Sequence, residues 1–376
     1  MQFASIFSGI GGFELGLGEA GHEPTVLCEI DPGAQAVLRH RFPGIDIAHD
    51  VTQLTQLPHG TDLVTAGFPC QDLSSSGPKA GIGGSRSGLI GDVFRLIEAS
   101  RPQWVLIENV HFMLHLAKGT GIARIVEELE SLGYAWAYRV LDSQGFGLPQ
   151  RRRRVFILAS LDEDPRDVLL ADQGTFEPAA PSISRPVGFY WTEGTYATGL
   201  AADAVPPLKG GSTIGIPSPP AIMLPEGFVG TPHIEDAEAL QGFPRGWTSA
   251  AADAARESYR WKLIGNAVPV NVVRWIGDQL KDPRTYDSGA DVRIEKGSTW
   301  PDAAWGKGGK RYRSQASHYP SGVEQASLAQ LLAHDLRPLS VRASRGFLSR
   351  ARKGNLRFPE GFLESVEQHA AKLEAA

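Results

Sequence analysis

Short apolar runs alternate with helical patterns across the first 160 residues, and no other feature restricts the fold of this chain as tightly. Strands are predicted over 3–7, 25–30, 62–66, 104–108, 135–141 and 155–159, and helices over 13–20, 32–41, 87–99 and 120–132. Pro32 suits the first position of a helix, where its missing N–H costs nothing. Gly133 suits a helix stop. Strands that alternate with helices predict an α/β fold, a mostly parallel sheet with helices on both faces. Such sheets bind ligands beyond the carboxyl ends of their strands, which is where the chemically unusual residues of this chain fall.

Composition excludes several classes. Hydrophobic residues make up 42% and charged residues 21% of 376, an ordinary balance for a folded protein and not for a disordered or fibrous one. No apolar run approaches the roughly 18 residues of a membrane span, and MQFASIFSG lacks the basic start of a signal peptide. Cys28 and Cys70 are the two cysteines, too few for a disulfide framework or a metal-ligand spacing, so a reducing cytoplasm and no metal are expected. A net charge of −5 gives no bulk attraction to polyanions, so any such site must be a local patch.

Four divisions follow from the patterning: a strand–helix alternating domain over 1–162, a Pro-, Gly-, Ser- and Thr-rich variable domain over 163–232, a return segment over 233–282, and a basic C-terminal extension over 283–376; the motifs below make the first the expected cofactor-binding catalytic domain. Within the extension, 337–357 holds seven basic residues and no acidic one.

FSGIGGFE (7–14) joins a strand to a helix; its glycines allow close backbone approach to a ligand, and the helix start offers free N–H groups. The next strand runs to Glu29, and an acid there can accept from ribose hydroxyls. GFPCQDLS (67–74) puts Cys70 among turn and polar residues at a strand end, where a thiolate can act as a nucleophile; Cys28, inside TVLCEI, reads as a small buried hydrophobe. ENV (108–110) ends a neighbouring strand with a carboxyl suited to acid catalysis or to a surface position. In LPQRRRRVFIL, Arg152 and Arg154 share one strand face and Arg151 and Arg153 the other. Arginines entering a core strand must find anions or acidic side chains.

FSGIGG, GFPCQ, ENV, QRRRR, LQGFP (240–244) and GNAVP (265–269), in this order, resemble the DNA (cytosine-5) methyltransferases over about residues 1–282. The resemblance implies a Rossmann-like S-adenosylmethionine-dependent methyltransferase sheet with helices on both faces and one antiparallel strand, plus a small irregular target-recognition domain and, beyond the shared core, the C-terminal extension. Phe7, Gly9 and Gly11 would line the cofactor pocket, Glu29 would hold the ribose, Ile30 would pack on adenine, Asp50 would accept from its amino group, and Asn266 and Val268 would close the site. Cys70 would be the nucleophile and Glu108 would hold a flipped cytosine. Arg152 and Arg154 would orient the base and the nucleophile loop. Gln71, Ser74, Arg86, Thr192 and Lys209 would contact DNA. The family usually carries an arginine near the start of the segment leading to LQGFP; Thr231 stands near that place here.

The resemblance further implies methyl transfer to carbon 5 of a cytosine in a specific duplex, in a cytoplasmic monomer that serves a restriction–modification system, with a cognate endonuclease, or stands alone. A tRNA cytosine methyltransferase and a silent DNA-binding protein are the alternatives. FYWTEG (189–194) and LKGGST (208–213) are the contact-like segments of the variable domain, although Phe189 and Trp191 equally suit its core. The basic tail reads either as a solvated surface or as a phosphate-binding one through Arg345, Arg350 and Arg352.

Overall fold

The computed structural model describes residues 1–68, 88–210, 219–252, 257–295 and 297–375. Strands β1 (Gln2–Ile6), β2 (Glu23–Cys28), β3 (Asp46–Ala48), β4 (Leu63–Ala66) and β5 (Trp104–Val110) pair in parallel. β6 (Ala135–Asp142) and β7 (Arg153–Ser160) follow, and β7 runs antiparallel to both β5 and β6. This is the sheet that the alternating pattern and the resemblance predict. Phe3–Ile6 of β1 and the whole of β4 are buried on both faces because helices cover both, with Ser5 and Thr65 the polar residues among them.

Helices α1 (Gly12–Glu19), α2 (Pro32–Arg41), α3 (Leu89–Ser100) and α4 (Thr120–Ser131) connect these strands. Asp31 caps α2 by accepting from the Gly33 and Ala34 N–H groups at 2.9 and 3.1 Å, and Pro32 takes the first helical position. The later helices are α5 (Pro165–Leu169), α6 (Ile234–Leu240), α7 (Glu257–Asn266), α8 (Val270–Lys281), α9 (Leu328–Leu331), α10 (Val341–Lys353) and α11 (Phe362–Ala375). α8 lies against α1 so closely that a Cβ on Gly16 would come within 2.7 Å of Val273 Cβ. The return segment thereby rejoins the first helix of the chain.

Several boundaries differ from expectation. β2 stops at Cys28, so Glu29 and Ile30 lie just past the strand; the Glu29 carboxylate draws in the Gly9 and Asp31 N–H groups and turns the chain away. β7 starts at Arg153, which brings Arg153 and Arg154 into the ladder. Three-residue β3 is too short for its pattern to stand out.

A second sheet is built from β8 (Val187–Phe189), β9 (Ala201–Ala202), β10 (Ala221–Met223) and β11 (Val229–Thr231). The stretch after 282 is not a separate extension, contrary to the expected division. Its strands β12 (Val292–Arg293), β13 (Ala303–Lys307) and β14 (Lys310–Arg313) widen the main sheet beside β6, giving the order β12-β14-β13-β6-β7-β5-β4-β1-β2-β3. Its last part, β15 (Arg337–Pro338) with α10 and α11, completes the small domain: β15 pairs with β11. Phe347 and Phe362 bury themselves against Phe189, with ring centroids 4.9 and 5.2 Å away. Each buried phenyl contributes roughly 1.5–3 kcal/mol, so the small sheet, too narrow to form a core alone, depends on residues 150 positions later. The basic run also finds acids. Arg345 pairs with Glu374 at 2.8 Å and Arg352 with Glu367 at 2.7 Å, both on α11. These two arginines are each paired with an acid of the same fold, at the surface.

Candidate active site

A cavity of about 480 Å³ opens at the carboxyl ends of β1, β2, β4 and β5, where the strand order reverses around β1. One end is lined by Phe7, Gly9, Glu29, Ile30, Asp50 and Asn266. Phe7 holds a left-handed backbone, φ 61°, uncommon for a non-glycine residue and a mark of a constrained turn. Gly9 is also left-handed, and a Cβ there would project into open space. Glu29 Oε2 accepts from Gly9 N and Oε1 from Asp31 N, each at 2.8 Å. Burial pushes the Glu29 carboxyl up, and these two N–H groups oppose the shift. Ile30, next in sequence, is 59% exposed, an apolar side chain left bare within the cavity wall. Asp50 accepts from Thr52 N at 2.9 Å, which holds its carboxyl below the usual range.

Gly11 and Val268 do not line the cavity. A Cβ on Gly11 would strike the Phe42 ring at 2.5 Å, so that glycine admits α2 and its flanking phenyl; Val268 packs one layer behind, against Gly12. Asp31 closes the same end in a way that its sequence position did not reveal: it accepts from the Tyr259 hydroxyl and faces Lys262 Nζ at 3.8 Å, both on α7.

At the other end stand Glu108, Arg152 and Arg154. Arg154 Nε lies 3.1 Å from Glu108 Oε1. Burial raises the Glu108 carboxyl, and the charges of Arg154 and Arg152 oppose the rise. Arg152 is fully buried and donates to three carbonyls, those of Leu208, Gly265 and Ala267, at 3.1, 2.9 and 2.8 Å. It therefore ties β7 to the small domain and to GNAVP at once. Gln150 adds to this junction by donating to Leu240 O at 2.9 Å and accepting from Leu208 N at 2.9 Å. On the opposite face Arg153 pairs with the buried Asp142 at 3.2 Å.

Asn109 Nδ2 donates to Phe68 O at 3.0 Å and fixes the chain where β4 leaves the sheet. The motif was legible, but the role of this amide was not. Cys70, Gln71, Ser74 and Arg86 lie outside the described residues. Cys28 is buried as expected, and burial pushes its thiol up to about 12.

In the variable domain the two aromatics of FYWTEG turn inward, and residues 211–213 of LKGGST lie outside the described residues. Phe189 is fully buried and Trp191 Nε1 donates to Pro219 O at 3.0 Å, so both belong to the small-domain core. Lys209 Nζ sits 3.6 Å above the Tyr190 ring and pairs with Glu193 at 2.5 Å, while Thr192 occupies the intervening turn. Among the described residues His233, Glu235 and His334 come within 4.8 Å of one another, a grouping that the sequence spacing hid. Both rings are already used: His233 accepts from Glu235 N, and His334 meets the buried Asp236 at 3.3 Å. They tie α6 to the segment before β15.

Residues 1–188 match the family model described as C-5 cytosine-specific DNA methylase. The chain is 49% identical over 383 residues to the Type II methyltransferase M2.BsuMI of Bacillus subtilis (strain 168), covering 98% of each. It is 30% identical to the Type II methyltransferase M.NlaX of Neisseria lactamica over 74% of this chain and 96% of that one. Among solved structures, the S. pombe Dnmt2 methyltransferase shares the fold with a TM-score of 0.55 at 17% identity, covering 74% of this chain and 98% of that chain.

Proposed function

The chain belongs to the C-5 cytosine-specific DNA methylase family, and from that premise we propose how the two ends of the cavity divide the work of methylating carbon 5 of a cytosine in DNA. The observation that carries the division is the Glu108–Arg154 pair standing in one cavity with Glu29 and Ile30.

The outer end fits S-adenosylmethionine by its donor set. Glu29 offers carboxylate oxygens to ribose hydroxyls, Ile30 a bare apolar surface to adenine, Asp50 an acceptor for the adenine amino group, and Gly9 leaves room for close approach. When bound, that cofactor supplies an electrophilic methyl group on a sulfonium.

The inner end acts on the base. Cytosine carbon 5 is a poor nucleophile and lies inside a stacked duplex, so the nucleotide must first be extruded. The Cys70 thiolate adds to carbon 6, and the electron pair of the C5–C6 double bond moves toward carbon 5. Glu108, whose carboxyl burial raises above the usual carboxylate range, donates to ring nitrogen 3 in its protonated form and grips the exocyclic amine. Arg154 orients Glu108, and Arg152 holds the wall behind it. The electron pair at carbon 5 would take the methyl group as its bond to the sulfonium breaks and leaves a neutral thioether; water then accepts the carbon 5 proton, and the electrons of that C–H bond restore the C5–C6 double bond as the Cys70 thiolate departs.

Similarity to Type II methyltransferases supports a modification enzyme that reads one duplex sequence, paired with a cognate restriction endonuclease and acting as a cytoplasmic monomer at the nucleoid. No described helix is long and apolar enough to cross a membrane. Methylation-sensitive sequencing of DNA from cells expressing the protein gives substrate, atom and site together. A 5-fluorocytosine duplex is expected to trap a Cys70 adduct, because fluorine cannot leave as a proton does. Methylation of tRNA in place of duplex DNA would overturn the substrate, and turnover by Cys70→Ala would overturn the nucleophile.

A further inference from the structure

The turn over 191–197 follows β8 in the small domain and is gripped by two other segments. From behind, Arg350 of α10 donates to Glu193 O at 3.1 Å and to Trp191 O at 2.7 Å. Contact there is close enough to need two glycines: a Cβ on Gly194 would come within 3.1 Å of Arg350 Cβ, and one on Gly354 within 2.6 Å of Thr195 O. From the front, Lys209 pairs with Glu193 and lies over Tyr190. Lys209 and Gly210 in turn abut the cavity rim, where a Cβ on Gly265 would meet Gly210 N at 2.5 Å. At the tip of this braced turn Tyr196 is 92% exposed.

An isolated exposed tyrosine is ordinary on a protein surface. Here the backbone that carries it is fixed by a guanidinium fork and an ion pair, and the lysine of that pair precedes Gly210, which packs on Gly265 of the cavity lining. A contact group gains from such bracing, since the ordering cost is met before the ligand arrives. We propose that the 191–197 turn is a DNA-contacting loop, with Tyr196 its specificity-determining contact and Arg350 its positioning residue. The proposal rests on the reading of the cavity as a cytosine methylation site. It reassigns Arg350 from the phosphate contact expected of the basic tail to a support of the recognition surface. A phenol ring at the tip can stack on a base or reach a base edge through its hydroxyl.

Tyr196→Ala, Tyr196→Phe and Arg350→Ala are compared with the wild-type enzyme on an oligonucleotide duplex carrying the site that the wild type methylates, and on duplexes with single base changes in that site. Tyr196→Ala is expected to lower kcat/KM on the intact site by about tenfold or more, the scale of one specific base contact, through KM. It should narrow the gap between intact and altered sites and leave cofactor Kd and Tm unchanged. Tyr196→Phe separates stacking from hydrogen bonding by retaining or losing that gap. Arg350→Ala should change KM and discrimination in the same direction, with partial rescue by Arg350→Lys. Wild-type KM and discrimination in Tyr196→Ala would overturn the inference while leaving the methyltransferase reading intact. Failure of the wild type to methylate any DNA cytosine would overturn both.

Discussion

Arg154 reaches Glu108 diagonally across the β5–β7 ladder: Glu108 pairs in register with Phe156 and Arg154 with Val110, yet Nε and Oε1 stand 3.1 Å apart. All four residues share one sheet face, and the diagonal is within reach of a long side chain. The rise that burial imposes on this carboxyl is thus opposed first by Arg154 and then by Arg152.

Removing the charge should move the titration. With Arg154→Gln, Glu108 loses the larger of the two charges that oppose its raised pKa, so its pKa rises further. If the protonated carboxyl is the active form, the limb on which the rate falls with rising pH shifts to higher pH. Single-turnover methyl transfer measured against pH checks this, and a downward shift contradicts it. Glu108→Gln should abolish that limb and slow methyl transfer by about 10²- to 10⁴-fold, the range for a positioned acid.

Arg152 should behave differently from its neighbour. Its guanidinium satisfies three buried carbonyls from two distant segments, so Arg152→Ala is expected to cost stability of about 3–5 kcal/mol. Arg152→Lys recovers little, because an ammonium lacks the planar fork. Urea unfolding distinguishes the two arginines: Arg154→Ala should lower the midpoint far less.

At the outer end, Glu29→Gln should weaken S-adenosylmethionine binding by about 1–3 kcal/mol, the scale of hydrogen bonds to a charged group. Calorimetry on the protein without DNA measures this. Duplex affinity without cofactor should not change; an equal loss in both would mark Glu29 as a folding residue.

How much of this was legible depended on how local the cause was. Strand–helix alternation, the helix start at Pro32 and the arginine faces of β7 are written within a few residues, and they appear where the pattern predicts. Glu29 and Glu108 were legible as carboxyls at strand ends, and Asp50 through the resemblance alone. Gly11 and Val268 were misplaced because a motif reports that a position is constrained and not what constrains it; Phe42 and Gly12 do so here. The small-domain core was hidden for another reason. Phe189 finds Phe347 and Phe362 only after the chain has left and returned, and no local period records that. The same return hid the acids of α11 from the basic run with which they pair.

The tail arginines yield a prediction opposite to their appearance in sequence. Arg345 and Arg352 are occupied by Glu367 and Glu374, so replacing both with Gln should leave the slope of log DNA affinity against log salt unchanged. Two phosphate contacts would instead reduce it by roughly 0.9 each. Fluorescence anisotropy across a salt series reads the difference.

The last prediction concerns Glu14, which is 1% exposed on α1 directly behind the glycine turn. Burial raises its carboxyl from 4.5 to about 7, against the Ser5 and Ser8 hydroxyls, which favour the charged form. The sign of the linkage follows from proton counts. Between pH 4.5 and 7 the native chain keeps this proton and the unfolded chain has released it, so stability falls as pH rises through that window. Above it the cost is constant at roughly 3 kcal/mol, from about 1.4 kcal/mol for each pKa unit. Glu14→Gln carries no ionisable proton and should remove this part of the pH dependence. Its stability relative to wild type should therefore rise steadily from pH 4.5 to 7 and level off above. Chemical unfolding at a series of pH values checks the curve; a variant that loses stability equally at every pH would show that the Glu14 side chain serves packing alone.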